Sequence, residues 1–342
     1  MLLPALTPRP VTMLRIYLDQ FAWIGLSRAA QKRPDGAKYA PALEMCRAAR
    51  QIGLASFPLD LYRYWETAKN SNDGSRNRLV DLLIELSDFD SMAMPQVILD
   101  YEIDLALSVR FGRPIAPSPP RVFGRGIAHM SNGRVTDTAR PGAAATSSSS
   151  DLRIPVDRAL EEALLRAGPK EHARSGAPID IINWGDLYAQ QEVRAAQDIA
   201  NRKVRREDLL AAVVHTDYQD LVGVVKDRMG AAGISPEEVV ETLGDKGLLQ
   251  FVYGLPTRRV ANQLRVSKHI HPPQQQKWKP SDFVDVIALP APVVYCDVVF
   301  TEHEWVRALT RDKTDLVHKR FDTTLIHEPD QLTDLLGRAT LG

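Results

Sequence analysis

Short apolar runs and longer stretches of helical period alternate along the first third of the chain. Residues 14–18, Leu-Arg-Ile-Tyr-Leu, predict a buried strand, and Asp19 follows it directly. A helix is expected over 20–30. Residues 39–52 place apolar side chains at helical spacing, with Pro41 in the first turn and Gly53 as a stop. Residues 55–61 predict a second strand, which runs into a helix starting near Tyr64 and carrying Glu66. Leu79, Leu82, Leu83 and Leu86 share one face of a helix over 75–86, with Ser75 as its N-cap. Ile98, Tyr101, Glu102 and Leu105 line up in the same way over 95–109.

Beyond residue 111 the pattern breaks. Pro114, Pro117, Pro119 and Pro120 interrupt regular structure, and 141–150 is a low-complexity run, PGAAATSSSS. Gly124-Arg125-Gly126 lacks the lysine and serine of a phosphate loop, so it is not a nucleotide site. Helical period returns over 153–167, 184–199, 206–215, 218–230 and 235–243. The last of these starts with Ser235 at the N-cap, Pro236 at the first helical position and two glutamates behind it. Near the end, 279–305 combines a helix bearing Asp282 and Asp285 with a short apolar run, Val293-Val294-Tyr295, read as a strand with Asp297 past its end. A helix over 301–309, a final strand over 321–326 and a closing helix over 329–336 complete the expectation. The chain then divides into a leader (1–12), a first core part (13–112), a Pro- and Ser-rich linker (113–151), a helical insertion (152–277) and a second core part (278–342).

Acids repeatedly follow the strands. In an open parallel sheet, functional groups gather at the carboxyl ends of strands, which would bring Asp19, Glu66, Asp282, Asp285 and Asp297 together. Asp282 and Asp285 share a helix face at three-residue spacing. Acids packed this closely repel unless a cation or protons neutralise them, and oxygen-only donors suit Mg²⁺ or Mn²⁺. The plainer account is helix capping by Asp19 and Asp282. Basic residues cluster at Arg202, Lys203, Arg205 and Arg206, and again at Arg258, Arg259, Arg265, Lys268, Lys277 and Lys279. Phe251, Tyr253 and Trp278 lie among them. The second group runs into the acidic stretch and is the candidate for holding an RNA backbone and stacking a base. The alternative is an ordinary charged helical surface. His269 and His271 read as a loop pair, and His303 as a helix-surface histidine beside the acids.

The order of strand-Asp19, helix-Glu66, helix-Asp282-x-x-Asp285 and Tyr295-Cys296-Asp297 resembles the PIN-domain nucleases. Within that family it is similar to a branch with D-x-x-D and Y-C-D motifs, although Thr301-Glu302 stands where the branch has Thr-Asp. The resemblance covers roughly residues 12–110 and 278–338. It implies a three-layer α/β/α fold with a mainly parallel sheet, here carrying a large, mainly helical insertion. It also implies a metal-dependent endoribonuclease, in which Asp19, Asp285 and Asp297 hold one Mg²⁺ or Mn²⁺ while Asp282 and Glu66 serve a second, with Glu302 as a further ligand. By family analogy such a chain is a toxin or defence effector. A non-catalytic RNA- or protein-binding scaffold and a DNA flap nuclease are the alternatives.

Composition changes this picture little. The 342 residues hold 43 basic and 43 acidic side chains, so the formal net charge is zero. A nucleic-acid binder commonly has a basic excess, but an acidic centre offsets basic patches elsewhere. Two cysteines, Cys46 and Cys296, are too few for a disulfide framework, which suits a cytoplasmic protein. No apolar stretch is long enough to span a membrane. The partners expected are single-stranded or structured RNA, and a second copy or an inhibitory protein.

Overall fold

The strand β1 (Leu14–Leu18) is the centre from which the sheet grows. Ile16, Tyr17 and Leu18 are fully buried, as expected for a parallel strand covered on both faces. Side chains alternate along it: Ile16 and Leu18 enter one apolar core, and Tyr17 enters the other. The computed structural model describes residues 13–112, 121–130, 158–175, 181–271, 278–311 and 317–341. The expected leader, much of the expected linker, and Lys277 lie outside the described residues.

After β1 the chain forms α1 (Gln20–Ala30), α2 (Ala40–Gln51), β2 (Ala55–Ser56), α3 (Leu61–Ala68), α4 (Asp73–Ser87), β3 (Asp90–Met92) and α5 (Pro95–Phe111). Then come β4 (Phe123–Arg125), α6 (Gly126–Met130), α7 (Arg158–Arg166), α8 (Pro169–Ser175), α9 (Ile181–Asn201), α10 (Leu209–Ala231), α11 (Pro236–Gly254) and α12 (Pro256–His269). The last segment holds α13 (Pro280–Ala288), α14 (Pro290–Tyr295), β5 (Val298–Phe300), α15 (His303–Thr310), α16 (Val317–Arg320), β6 (Thr324–Ile326) and α17 (Pro329–Leu341).

The result is a mixed α/β protein, mostly helical, with a small parallel sheet in the order β2-β1-β5-β6 and a separate antiparallel pair, β3-β4. One face of the parallel sheet packs on α1, α2, α4 and α17 through residues such as Trp23, Leu43, Leu83 and Leu336. The other face packs on α12, α14 and α15 through Leu264, Val293 and Trp305. A third apolar cluster joins α5 to α10 and α11, with Ile103 and Leu107 against Val214, Leu221 and Phe251. The middle helices therefore build their core directly on α5.

Several expected elements change. Residues 293–295 are not a strand but the last residues of α14. Pro290 and Pro292 occupy the first turn, where a missing N–H costs nothing, and a short buried apolar run has no period that separates helix from strand. The strand comes later, at Val298–Phe300, so Asp297 precedes it. Residues 55–61 give only a two-residue β2, because Pro58 lacks an N–H and Asp60 starts α3 by accepting from Arg63 N at 2.8 Å. The helices expected over 206–215 and 218–230 are one, α10; the intervening Asp217 is buried against Arg258 and Asn262 instead of breaking the chain. Residues 121–130, read as linker, contain β4 and α6 and pair with β3.

Candidate functional site

The parallel strands deliver their carboxyl ends to one cleft of about 110 Å³, lined by Asp19, Glu66, Asp282, Asp285, Glu302, Glu304 and Lys279 among others. Asp19 leaves the end of β1 and caps α1. Its Oδ1 accepts from Gln20 N at 2.7 Å, and its Oδ2 accepts from the Thr301 hydroxyl at 2.8 Å. Thr301 itself leaves the end of β5, and Glu302 is the N-cap residue of α15. One helical turn separates Asp60 from Arg63 and Arg63 from Glu66, so α3 presents all three on one side. Asp282 sits in the first turn of α13 and accepts from Lys279 N at 2.7 Å, and Asp285 stands one turn further on the same face.

The electrostatics are dominated by two buried cations. Arg63 is 1% exposed and lies among three carboxylates: Nη1 is 2.7 Å from Asp19, Nη2 is 2.8 Å from Glu66 and Nε is 3.4 Å from Asp60. The approach to Glu66 is not aligned for a hydrogen bond, so Glu66 Oε2 is a buried oxygen without one. Gln20 lines the cleft, and its Oε1 is in the same condition. Lys268 contacts Asp282 at 2.6 Å and Glu304 at 3.4 Å, between the rings of Trp278 and Trp305. The Asp285 carboxyl has no hydrogen-bond partner among the described residues. Burial, then repulsion from Asp19 and Glu66, holds its pKa well above the usual carboxylate range. The Glu66 and Glu302 carboxyls are also raised, in each case first by burial and then, against Arg63 or Lys279, by neighbouring acids.

Of the residues expected at the site, Asp19, Glu66, Asp282, Asp285 and Glu302 meet at the cleft. Asp297 does not. Its N–H donates to Arg15 O at 2.9 Å and its Oδ2 accepts from Arg15 N at 2.7 Å, at the start of the β1–β5 pairing. Asp19 N donates to Phe300 O at the other end of that pairing. At about 3.3 Å per residue, the four steps from residue 297 to 301 put Asp297 about 13 Å from the cleft end of the strand. The error follows from placing the strand one element too early.

The expected RNA-binding cations also change character. Arg258 pairs with Asp217, and Arg265 with Glu192 at 2.8 Å; both acids are buried, and Glu192 also meets His269 at 2.7 Å. These charges, with Lys268, hold α9, α10, α12 and α13 together and face inward. Arg259 lies over the Tyr253 ring at 4.4 Å. Lys279 is exposed and lines the cleft. Arg63, Asp60 and Thr301 were missed. Asp60-x-x-Arg63-x-x-Glu66 is legible as one helix face, and that spacing was the available signal.

Among the described residues no three His, Cys, Asp or Glu side chains are already drawn together as a metal set. The reason is visible: Arg63 separates Asp19, Asp60 and Glu66, and Lys268 holds Asp282. The remaining donors still fit a hard cation. They are all oxygen, and the Asp285 carboxyl and Gln20 Oε1, both from residues that line the cleft, have no hydrogen bonds of their own. Compared with known proteins, the chain matches no family model, no curated protein and no solved structure.

Proposed function

We propose that the cleft binds Mg²⁺ or Mn²⁺ and that the protein hydrolyses phosphodiester bonds there, with RNA as substrate. The observation that carries this reading is Asp285. A half-buried carboxyl without a hydrogen bond among the described residues, repelled by Asp19 and Glu66, costs the fold stability, and a cation in the cleft relieves that cost. RNA as the substrate class rests on the part of the PIN-like order that reaches the cleft, Asp19, Glu66 and Asp282-x-x-Asp285.

Asp19, Asp285 and Glu302 are the residues that would hold the ion. A divalent cation there supplies Lewis-acid charge and a water of lowered pKa. Thr301 fixes the Asp19 carboxylate through Oδ2. Lys268 anchors Asp282 and so sets the first turn of α13, one turn before Asp285. Lys279, exposed at the rim, is placed to meet a substrate phosphate.

The test is cleavage of labelled single-stranded RNA with Mn²⁺ or Mg²⁺, comparing the parent with Asp285→Asn. The parent cleaves, and the variant loses at least about 100-fold, the scale for removing a group that supports transition-state charge. Equal rates in the two proteins would defeat the assignment. A second reading, a binding scaffold without catalysis, is favoured by the ion pairs of Arg63 and Lys268, which neutralise several of the acids. Absence of both cleavage and Mn²⁺ binding in calorimetry would select it.

A further inference from the structure

Arg63 is the cation around which the inner acids are arranged. It is almost wholly buried, yet it serves three carboxylates from two separate elements, Asp19 after β1 and Asp60 and Glu66 on α3. Its guanidinium also lies 5.7 Å from the Tyr17 ring centre, and the Tyr17 hydroxyl donates to Asp60 Oδ2 at 2.8 Å. Burial opposes the charge, and the three surrounding carboxylates offset that cost. A guanidinium keeps its proton under all working conditions, so this cation is permanent.

We infer that Arg63 is a built-in cation behind Asp19 and Glu66, so that the cleft takes a single divalent ion, held towards Asp285 and Glu302. The inference rests on the divalent-cation reading of the cleft. Asp19 faces both sides. Its Oδ1 is committed to Arg63 and Gln20 N, whereas its Oδ2 accepts only from Thr301 among the described residues and keeps a lone pair. A second divalent ion among Asp19, Asp60 and Glu66 would meet a fixed like charge at ion-pair distance and would have to displace it. Arg63 is therefore a positioning residue: it orients Asp19 and sets how many ions the acids can accept.

The experiment is Mn²⁺ titration calorimetry on the full chain, with thermal unfolding in EDTA and in Mn²⁺, for the parent, Arg63→Lys and Arg63→Met. The parent and the lysine variant, which keeps the charge, bind one ion. The methionine variant binds two, a doubling, because its uncompensated acids accept a second. Its Tm falls in EDTA and rises with Mn²⁺ by more than the parent's does. A merely structural arginine would lower the Tm without changing the stoichiometry or the response to Mn²⁺. Two ions in the parent, or one in a folded methionine variant, would overturn the inference while leaving the divalent-cation reading intact. No ion in the parent would overturn both. Two ions in the parent overturn the inference whether or not the methionine protein folds.

Discussion

Glu102 allows a stability prediction worked from the structure. It lies in α5 and accepts from Thr257 N at 3.0 Å, the Thr257 hydroxyl at 2.7 Å and the Tyr295 hydroxyl at 3.1 Å, tying α5 to α12 and α14. It is 2% exposed. Burial, partly offset by these bonds, pushes its pKa up to about 7 from the ordinary glutamate value of 4.5. The folded state then holds the proton more tightly than the unfolded chain. Stability from this group is greatest in acid, falls as pH rises from 4.5 towards about 7, and levels off above that. At about 1.4 kcal/mol per pH unit, the full loss is about 3 kcal/mol. Glu102→Gln keeps the shape and removes the titration. Urea unfolding at about pH 4.5 and about pH 8.5 measures the effect, and the parent's stability relative to the variant should fall by about 3 kcal/mol between the two. Parallel pH dependence in the two proteins would refute the reasoning, because it would mean that Glu102 titrates alike in the folded and unfolded states.

Other perturbations test the site and its frame. In metal-free buffer the raised pKa of Asp285 makes the parent lose stability as pH rises through and above the usual carboxylate range, so Asp285→Asn should be the more stable protein at alkaline pH; an equal or lower Tm there counts against the packing of Asp285 among acids. Asp297→Asn should retain RNA cleavage and Mn²⁺ affinity, since Asp297 stands at the far end of β5; a large loss of either would place it back among the ligands. Gly25→Ala puts a methyl group 2.4 Å from the Tyr39 ring, at the contact between α1 and the turn before α2. The ring must move, at a cost of about 1–3 kcal/mol, and an unchanged denaturation midpoint would show that it moves freely.

Much of the frame was readable in the sequence because it depends on local physics. The five residues of β1 with Asp19 behind them, the leucine face of α4, and the Ser235-Pro236 start of α11 each carry a signal within a few residues. The convergence of Asp19, Glu66, Asp282 and Asp285 was also legible, since parallel strands send the residues after their carboxyl ends to one edge; Asp297, expected with them, is not in the cleft, and Glu302 was expected only from the family resemblance. The tertiary structure decided the pairing over distance. Val293-Val294-Tyr295 and Val298-Val299-Phe300 are both short buried apolar runs, and only hydrogen bonding to Ile16, Tyr17 and Leu18 selects the second as strand. That selection moved Asp297 away from the cleft and brought the Thr301 hydroxyl onto Asp19. Charged side chains on helices read as surface in a sequence, because burying a charge is favourable only beside a counter-charge. Here those counter-charges come from afar: Asp19 is 44 residues from Arg63, and Glu192 is 73 from Arg265. Local pattern shows the Asp60 and Glu66 partners of Arg63 but no trace of the distant ones, so the inward turn of Arg63, Arg265 and Lys268 was settled only when the chain closed on itself.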